Sequence, residues 1–185
     1  KKDGIWFERM VHMNNNKFEF ILAHPGPQFS LVPQTALNLK NGAIFEVCPA
    51  GLSITGLIAD RIKHSGGTAV IIDYGYTNST GGDTFQALKN HNFIHPLATP
   101  GKADLTAHVA FDQLSAAANE KNVTISDPFG QGEYLMAAGI GIRAQQLAEG
   151  KPEKKQQQVL SELTRLTAPE QMGELFKVLT LDYTP

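Results

Sequence analysis

Four consecutive residues, Asp73, Tyr74, Gly75 and Tyr76, are the first candidates for chemistry in this 185-residue chain. A carboxylate can accept two parallel hydrogen bonds from a planar cation, and tyrosine rings offer their faces to a positive charge. The group could therefore hold a cation or a planar ligand. In the alternative interpretation, Asp73 caps a turn, Gly75 adopts a positive φ and the tyrosines only pack. We favour a binding role because the four residues directly follow an apolar segment, residues 68–72.

Two further groups combine a carboxylate with a hydroxyl. Asp83 and Thr84 are adjacent, and Asp104 and Thr106 are followed by His108, which adds an imidazole. Such groups could position a substrate amine or assist a proton transfer. Aspartate and threonine are also common in caps and turns, so a purely structural role remains open for both groups.

Metal and nucleotide sites are not predicted. His91 and His95 lie four residues apart, but Pro96 disfavours helical geometry at His95, and no His-Glu-x-x-His sequence occurs. Gly139 and Gly141 lie within a helical pattern and lack a third glycine at the required spacing, which indicates a bending or packing point. We therefore expect no metal ligand in the chain, and no motif for ATP, NAD or a serine hydrolase mechanism.

The composition narrows the class of protein further. Hydrophobic residues make up 42% and charged residues 18%, which is typical of a folded domain, and the net charge of −2 disfavours nucleic-acid binding. No apolar segment is long enough to span a membrane. Cys48 is the single cysteine, which excludes an internal disulfide and suits a reducing compartment. The opening Lys1-Lys2-Asp3-Gly4 has neither a signal region nor a methionine, so we expect a processed or partial chain.

The order of predicted strands and helices around these residues indicates an α/β fold. An Asn-rich turn between two β-forming segments predicts a hairpin over residues 5–22. Residues 43–47 predict a strand, residues 50–63 a helix, and the apolar segment 68–73 a parallel strand buried on both faces. This order is a βαβ unit. Because ligands bind outside the carboxyl ends of strands in such sheets, it places Asp73 and the residues after it at the ligand edge.

The remainder of the chain predicts an insertion followed by mostly helical structure. The segment 77–110 is too long to be a simple loop between two elements, and long insertions of this kind are often functional. Helices are predicted over residues 111–120, 134–147 and 156–166, and strands over 123–126 and 175–181. We interpret the chain as a single partial domain, with the hairpin at 5–22, the core sheet and insertion at 43–130, and the helical segment and final strand at 131–185.

Several segments, taken together, resemble one family, the MidA-like S-adenosylmethionine-dependent methyltransferases, which includes the mitochondrial complex I assembly arginine methyltransferase. They occur in the family's order: Ile72-Asp73-Tyr74-Gly75-Tyr76, Gly82-Asp83-Thr84-Phe85-Gln86-Ala87, Asp104-Leu105-Thr106-Ala107-His108-Val109, Gln131-Gly132-Glu133-Tyr134-Leu135 and Met172-Gly173-Glu174-Leu175-Phe176-Lys177-Val178-Leu179. Trp6-x-Glu8-Arg9 and Glu46-x-x-Pro49 also suit the family. The resemblance implies the C-terminal half of a Rossmann-like class I methyltransferase sheet, with a β-hairpin, a long substrate-side insertion and a closing antiparallel strand.

The resemblance also implies an activity. The cofactor of the complete protein would be S-adenosylmethionine, but the glycine-rich loop and acidic residue that bind it belong to the amino-terminal half of the family, so no cofactor residue is assigned here and this half alone should not bind it. The expected reaction is protein-arginine N-methylation of a respiratory-complex subunit. The implied catalytic residues are Asp73, Asp83 and His108; the implied substrate-binding residues are Tyr74, Gly75, Tyr76, Thr84, Asp104 and Thr106.

The main alternative is a non-catalytic module that binds or assembles a partner protein. The expected partners are a protein substrate, or a partner protein for the non-catalytic module, and the missing amino-terminal half. A homodimer is also open, and neither nucleic acid nor a membrane is expected as a partner. The expected location is the cytoplasm for a bacterial source or the mitochondrial matrix for a eukaryotic one, and we favour the bacterial cytoplasm.

Overall fold

The computed structural model describes residues 1–184, which separate into two compact units. The first unit contains Lys1–Pro49 and Ser79–His108, and the second contains Ala50–Asn78 and the chain from Val109 onward. The interpretation of the chain as one partial domain stays a prediction. No helix among the described residues is both long and apolar enough to cross a membrane.

The first unit contains a hairpin and a small sheet. Its elements are β1 (Glu8–Asn14), β2 (Lys17–Ala23), a 3-10 turn (Pro27–Leu31), α1 (Gln34–Leu37), β4 (Gln86–Lys89), β5 (Asn92–Ile94) and β6 (Asp104–Thr106). Strands β1 and β2 pair along their whole length, and Asn15 and Asn16 both have positive φ angles, as the tightest hairpin turn requires. The predicted hairpin is therefore present, although β1 begins at Glu8 and not at Ile5.

The long insertion contains a three-stranded antiparallel sheet in the order β5-β4-β6, which the sequence patterns did not predict. The turn between β4 and β5 places Asn90 and His91 at positive φ. These strands are only three or four residues long, too short for alternation of polar and apolar side chains to be recognised.

The predicted strand at residues 43–47 is wrong. These residues form no regular element, although the carbonyl of Ile44 accepts a hydrogen bond from the amide of Gly82 at 2.9 Å. β-forming side chains make a strand only where a neighbouring strand offers a ladder, because strand preference mostly measures packing against that neighbour. Without this strand, the predicted βαβ unit is not formed among residues 1–184.

The second unit consists of a mixed sheet and helices. Its elements are α2 (Pro49–Ser65), β3 (Gly67–Tyr76), β7 (Val109–Ala110), α3 (Phe111–Asn119), β8 (Thr124–Ile125), β9 (Phe129–Gly130), α4 (Gln131–Ala137), α5 (Ile140–Ala148), α6 (Glu153–Thr167), a π-type turn (Pro169–Gly173) and β10 (Phe176–Tyr183). The strand order is β7-β3-β10-β8, with β9 also paired to β10. The predicted closing strand β10 is antiparallel to β3 and lies at the centre of the sheet.

One face of this sheet is covered by α2 and α3. The core between them contains the buried side chains Ala59, Ile62, Phe111, Leu114, Ala118, Val123, Leu179 and Leu181. Ala69 and Ile71 of β3 pack against this core, whereas Val70 and Ile72, on the opposite face of the strand, are 41% and 43% exposed. The prediction that β3 is a parallel strand buried on both faces is thus wrong: it pairs mainly with antiparallel β10, and one face is partly open.

The helix predicted over residues 134–147 is divided in two. Gly139 lies between α4 and α5 with φ +88°, a left-handed conformation in which glycine has no steric penalty. The predicted bend at Gly139 is therefore a break. The other predicted helices match α2, α3 and α6 with ends shifted by a few residues.

Candidate active-site residues in two units

Asp73 to Tyr76 form the last four residues of β3 in the second unit, and all four are half-buried. An oxygen of the Asp73 carboxylate accepts a hydrogen bond from the Tyr74 amide at 2.8 Å. The Tyr74 ring meets the ring of Phe176, its partner on β10, edge to face with centroids 5.6 Å apart. The strand end is therefore packed against β10, and the carboxylate can accept further hydrogen bonds beyond this local one.

Lys177 lies directly opposite Asp73 in the β3–β10 ladder, and residues opposite each other in antiparallel strands share a face. The lysine is only 8% exposed, and its ammonium donates to the main-chain oxygen of Glu174 at 2.6 Å and to the Glu174 carboxylate. A buried cation held in this way places positive charge at the same end of the sheet as Asp73. Sequence patterns did not single it out.

Gly75 has a structural reason to be glycine. It pairs with Val109 of the parallel strand β7, and a Cβ atom at Gly75 would lie 2.1 Å from the Val109 carbonyl oxygen and 3.0 Å from the ring of Phe111. Its φ is not in the positive region, so close approach of the chain explains the residue better than backbone freedom does.

Asp83, in the first unit, forms an ion pair with Arg9 of β1. Two guanidinium nitrogens donate to its two carboxylate oxygens at 2.6 and 2.8 Å, the bidentate geometry that suits arginine. The guanidinium also lies over the ring of Phe20, with 4.7 Å between its central carbon and the ring centroid. The hydrogen bond and charge of Arg9 lower the pKa of Asp83, and Asp83 in turn raises the pKa of Arg9.

Thr84, the next residue, is linked to Glu46. The Thr84 amide and hydroxyl donate to the two carboxylate oxygens of Glu46 at 3.0 and 2.5 Å. The same hydroxyl accepts a hydrogen bond from the amide of His108 at 2.9 Å. The structure thus connects two predicted site residues, Thr84 and His108, through the main chain of His108.

The remaining predicted residues lie on the small sheet. Asp104 is exposed and Thr106 half-buried on β6, where they pair with Leu88 and Gln86 of β4. The candidate residues therefore fall into two groups: Asp73, Tyr74, Gly75 and Tyr76 in the second unit, and Asp83, Thr84, Asp104, Thr106 and His108 in the first. Among the residues described, no cluster of three or more His, Cys, Asp or Glu side chains could hold a metal ion.

Arg9 and Glu46 were not predicted as site residues, although both lie in segments that carry the family resemblance, Trp6-x-Glu8-Arg9 and Glu46-x-x-Pro49. Their partners are 74 and 38 residues away in sequence, so local patterns could not pair them.

The Arg9–Asp83 ion pair should make the free energy of unfolding depend on pH in the acidic range. Because the folded pKa of Asp83 is below its ordinary value of 3.8, its contribution is complete above pH 3.8 and is lost as the pH falls through the folded value. Both side chains are partly exposed, at 28% and 43%, so we expect only about 0.5 kcal/mol.

Urea titrations of the wild type and Asp83→Asn from pH 7 to pH 2 would measure this contribution. We expect the two curves to converge at the acid end, and Asp127→Asn, which replaces an exposed aspartate, is the control for the effect of an Asp→Asn substitution as such. A constant difference between the wild type and Asp83→Asn at all pH values would contradict the prediction.

Strand β9 runs into α4 through the sequence Gly130-Gln131-Gly132, and a glycine-rich turn that leads into a helix can hold a nucleotide-like cofactor. Added Cβ atoms at Gly130 and Gly132 would lie 2.8 Å from the carbonyl oxygen of Gly173 and 2.3 Å from that of Thr167. The two glycines accommodate the chain's own backbone, and α4 has only seven residues. This segment does not fit a cofactor's phosphate-like or carboxylate groups.

Comparison with known proteins defines the class. Residues 1–129 match the model of a family described as "Putative S-adenosyl-L-methionine-dependent methyltransferase". The match covers well over half of the chain, so the chain belongs to this family of S-adenosyl-L-methionine-dependent methyltransferases. The family resemblance inferred from the motifs is confirmed.

The chain is also similar to individual proteins with a named activity. The chain is 32% identical over 180 residues to the mitochondrial protein arginine methyltransferase NDUFAF7 of Danio rerio, a match that covers 95% of this chain and 42% of that protein. It is 36% identical over 183 residues to the human protein of the same name, covering 95% of this chain and 40% of the human protein. The chain thus spans about 40% of the length of these relatives.

Solved structures support the fold. Two proteins from Burkholderia thailandensis superpose with TM-scores of 0.85 and 0.83 at 22% and 24% identity, covering 99% of this chain and 50% and 49% of theirs. The second was solved bound to S-adenosyl-homocysteine. The α/β methyltransferase fold predicted from sequence is confirmed.

Proposed function

We propose that the protein containing this chain transfers a methyl group from S-adenosylmethionine to an arginine side chain of another protein. The observation that carries the proposal is the family match over residues 1–129, together with the names of relatives 32–36% identical to the chain. Following the family resemblance, the proposed acceptor is a respiratory-complex subunit. The relatives are mitochondrial; for this chain we propose the bacterial cytoplasm, or the mitochondrial matrix if its source is eukaryotic.

The acceptor's chemistry explains which residues would be needed. A guanidinium is always protonated in a protein and has no free lone pair, so an enzyme must orient it and draw its charge to one side. Carboxylates do this best, because they accept bidentate hydrogen bonds. For the second unit we propose that Asp73 holds the acceptor guanidinium and that Tyr74 and Tyr76 form the walls of its site beside Gly75. For the first unit we propose, separately, that Asp83, Asp104 and His108, with Thr84 and Thr106, serve as substrate contacts or as a proton path.

The methyl donor would be held by residues outside this chain. The Gly130-Gln131-Gly132 segment between β9 and α4 accommodates the chain's own backbone. We therefore expect isothermal titration calorimetry to detect no S-adenosylmethionine binding to the 185-residue chain, and clear binding to a protein extended to the length of the relatives. Micromolar binding to the chain alone would contradict the prediction.

The acceptor is tested by the chemical identity of the product. The extended protein would be incubated with tritium-labelled S-adenosylmethionine and a protein extract from cells lacking its gene, and the hydrolysed protein separated into amino acids. We expect the label in methylarginine. The proposal would be overturned if the label were found in methyllysine. It would also be overturned if the extended protein transferred no more label than a control reaction with the 185-residue chain.

A second candidate function is a non-catalytic module that binds a partner protein. It is favoured by the β1–β2 hairpin, where large apolar side chains are exposed: Met10, Val11, Met13, Phe18, Ile21 and Leu22. Exposed apolar patches of this kind mark interaction sites. Absence of S-adenosylmethionine binding in both the chain and the extended protein would favour the module.

A further inference from the structure

The loop Gly82-Asp83-Thr84 in the first unit is held by contacts from three distant parts of the chain. The Gly82 amide donates to the carbonyl of Ile44, Asp83 is paired with Arg9, and Thr84 is bonded to Glu46 and to the amide of His108. The residues from Ser79 to Phe85 form neither helix nor strand, so these long-range contacts hold the loop together with a local hydrogen bond from the Phe85 main chain to Asp83.

Glu46 controls Thr84 through both carboxylate oxygens. One oxygen accepts from the Thr84 amide and the other from its hydroxyl, so the backbone and the χ1 rotamer of Thr84 are fixed together. A threonine hydroxyl has one proton and two acceptor positions. With its proton committed to Glu46, the oxygen of Thr84 presents a lone pair to the His108 amide. Thr84 therefore connects the Glu46 carboxylate to the backbone of His108 through two consecutive hydrogen bonds.

Arg9 controls Asp83 in a comparable way. Its two nitrogens engage both oxygens of Asp83, and its guanidinium is held over Phe20. The Phe20 ring contacts the rings of Phe85 and His95, with centroids 6.5 and 5.8 Å away. The arginine is therefore oriented by a ring that also packs against the residues after the loop.

We propose that Arg9 and Glu46 are positioning residues: they fix the Gly82–Thr84 loop from outside the insertion, Arg9 by orienting the Asp83 carboxylate and Glu46 by orienting Thr84 and, through it, the backbone of His108. That the positioned groups serve a methyl acceptor rests on the proposed function. The positioning itself rests only on the contacts within the first unit.

The Glu46 branch is tested by amide hydrogen exchange, measured residue by residue by NMR. Glu46→Ala removes both acceptors of Thr84, and we expect exchange at the Thr84 and His108 amides to accelerate at least about tenfold. Exchange in β1 and β2 should be unchanged. Glu19→Ala, which removes an exposed glutamate from β2, is the matched control and should leave both amides protected. Unchanged exchange at His108 in Glu46→Ala would overturn this branch, as would equal acceleration throughout the unit.

The Arg9 branch is tested by titrating the Asp83 carboxyl carbon by NMR. The charged and titratable groups near this carboxylate are Arg9, Glu46, whose charge raises the pKa of Arg9, and His95, whose ring lies 5.8 Å from that of Phe20. In Arg9→Ala we expect the pKa of Asp83 to rise toward its ordinary value. Guanidinium ion at tens of millimolar should lower it again, whereas sodium at equal ionic strength should not, and Arg9→Lys should restore it only in part because lysine lacks the planar fork. No shift in Arg9→Ala, or equal rescue by sodium, would overturn this branch.

These readouts separate the two proposals. If the exchange and titration results hold but the extended protein makes no methylarginine, the proposed function fails and the positioning stands. If methylarginine forms at the wild-type rate in both Arg9→Ala and Glu46→Ala while the loop amides and Asp83 are unaltered, the positioning fails and the proposed function stands.

Discussion

Gly75→Ala should lower the free energy of unfolding of the second unit by about 3 kcal/mol, because overpacking a tightly packed site forces backbone shifts. The new methyl group would lie 2.1 Å from the carbonyl oxygen of Val109, a backbone atom that cannot rotate away as a flexible side chain can. It would also contact the ring of Phe111, which is fully buried in the core. Relief requires β3 and β7 to separate where the candidate residues Asp73 and Tyr76 are located.

Urea denaturation followed by circular dichroism gives the measurement. Gly141→Ala is the matched control in the same unit. An added Cβ there meets only a methyl group of Met136 at an ordinary 3.7 Å, and Gly141 lies inside helix α5 without a positive φ. Alanine should therefore stabilise at this position, by roughly 0.5–1 kcal/mol. A Gly75→Ala midpoint equal to that of the wild type would contradict the packing explanation and leave a ligand as the reason for this glycine.

Asp73→Asn in the extended protein should reduce the rate of methyl transfer to the extract by about 10²-fold or more, the usual effect of removing one preorganised electrostatic contact. Asparagine has nearly the same shape and keeps an oxygen that can accept the Tyr74 amide, so the fold of the strand end should be preserved. What is lost is the negative charge that would hold a guanidinium. Binding of S-adenosylmethionine, measured by calorimetry, should be unchanged.

Asp60→Asn is the control for this experiment, since it removes a carboxylate from α2 of the same unit that is paired with Lys121 on the surface. It should leave both transfer and donor binding near wild-type values. If Asp73→Asn transfers methyl groups at the wild-type rate, Asp73 does not hold the acceptor. If Asp73→Asn also loses S-adenosylmethionine binding, Asp73 acts on the methyl donor and not on the acceptor.

The family was accessible from the sequence because its signals are local. Segments such as Asp73-Tyr74-Gly75-Tyr76 and Gly82-Asp83-Thr84 keep their order along the chain, and no folding is needed to recognise them. Most helices were also predictable, since α2, α3 and α6 each carry their pattern within one segment. The chain's relation to methyltransferases and its α/β class follow from such information.

Strand pairing was less predictable, because a strand depends on a partner that lies far away in sequence. Residues 43–47 have the composition of a strand but no neighbouring strand to pair with. The three short strands of the insertion do pair with one another, although their composition does not predict strands. The exposed face of β3 also depends on distant parts of the chain. Its apolar side chains predict burial on both faces, but a face is buried only where another element covers the sheet.

The family, the fold class and the short segments that carry the candidate residues can be inferred from the sequence, because each signal lies in neighbouring amino acids. The contacts of Arg9 with Asp83, of Glu46 with Thr84 and of Gly75 with Val109 are visible only in the folded chain. These contacts join residues separated by 74, 38 and 34 positions, and no spacing rule specifies such pairs. They arise only when hydrogen-bonding groups and close-packed backbone must be satisfied together in one folded unit.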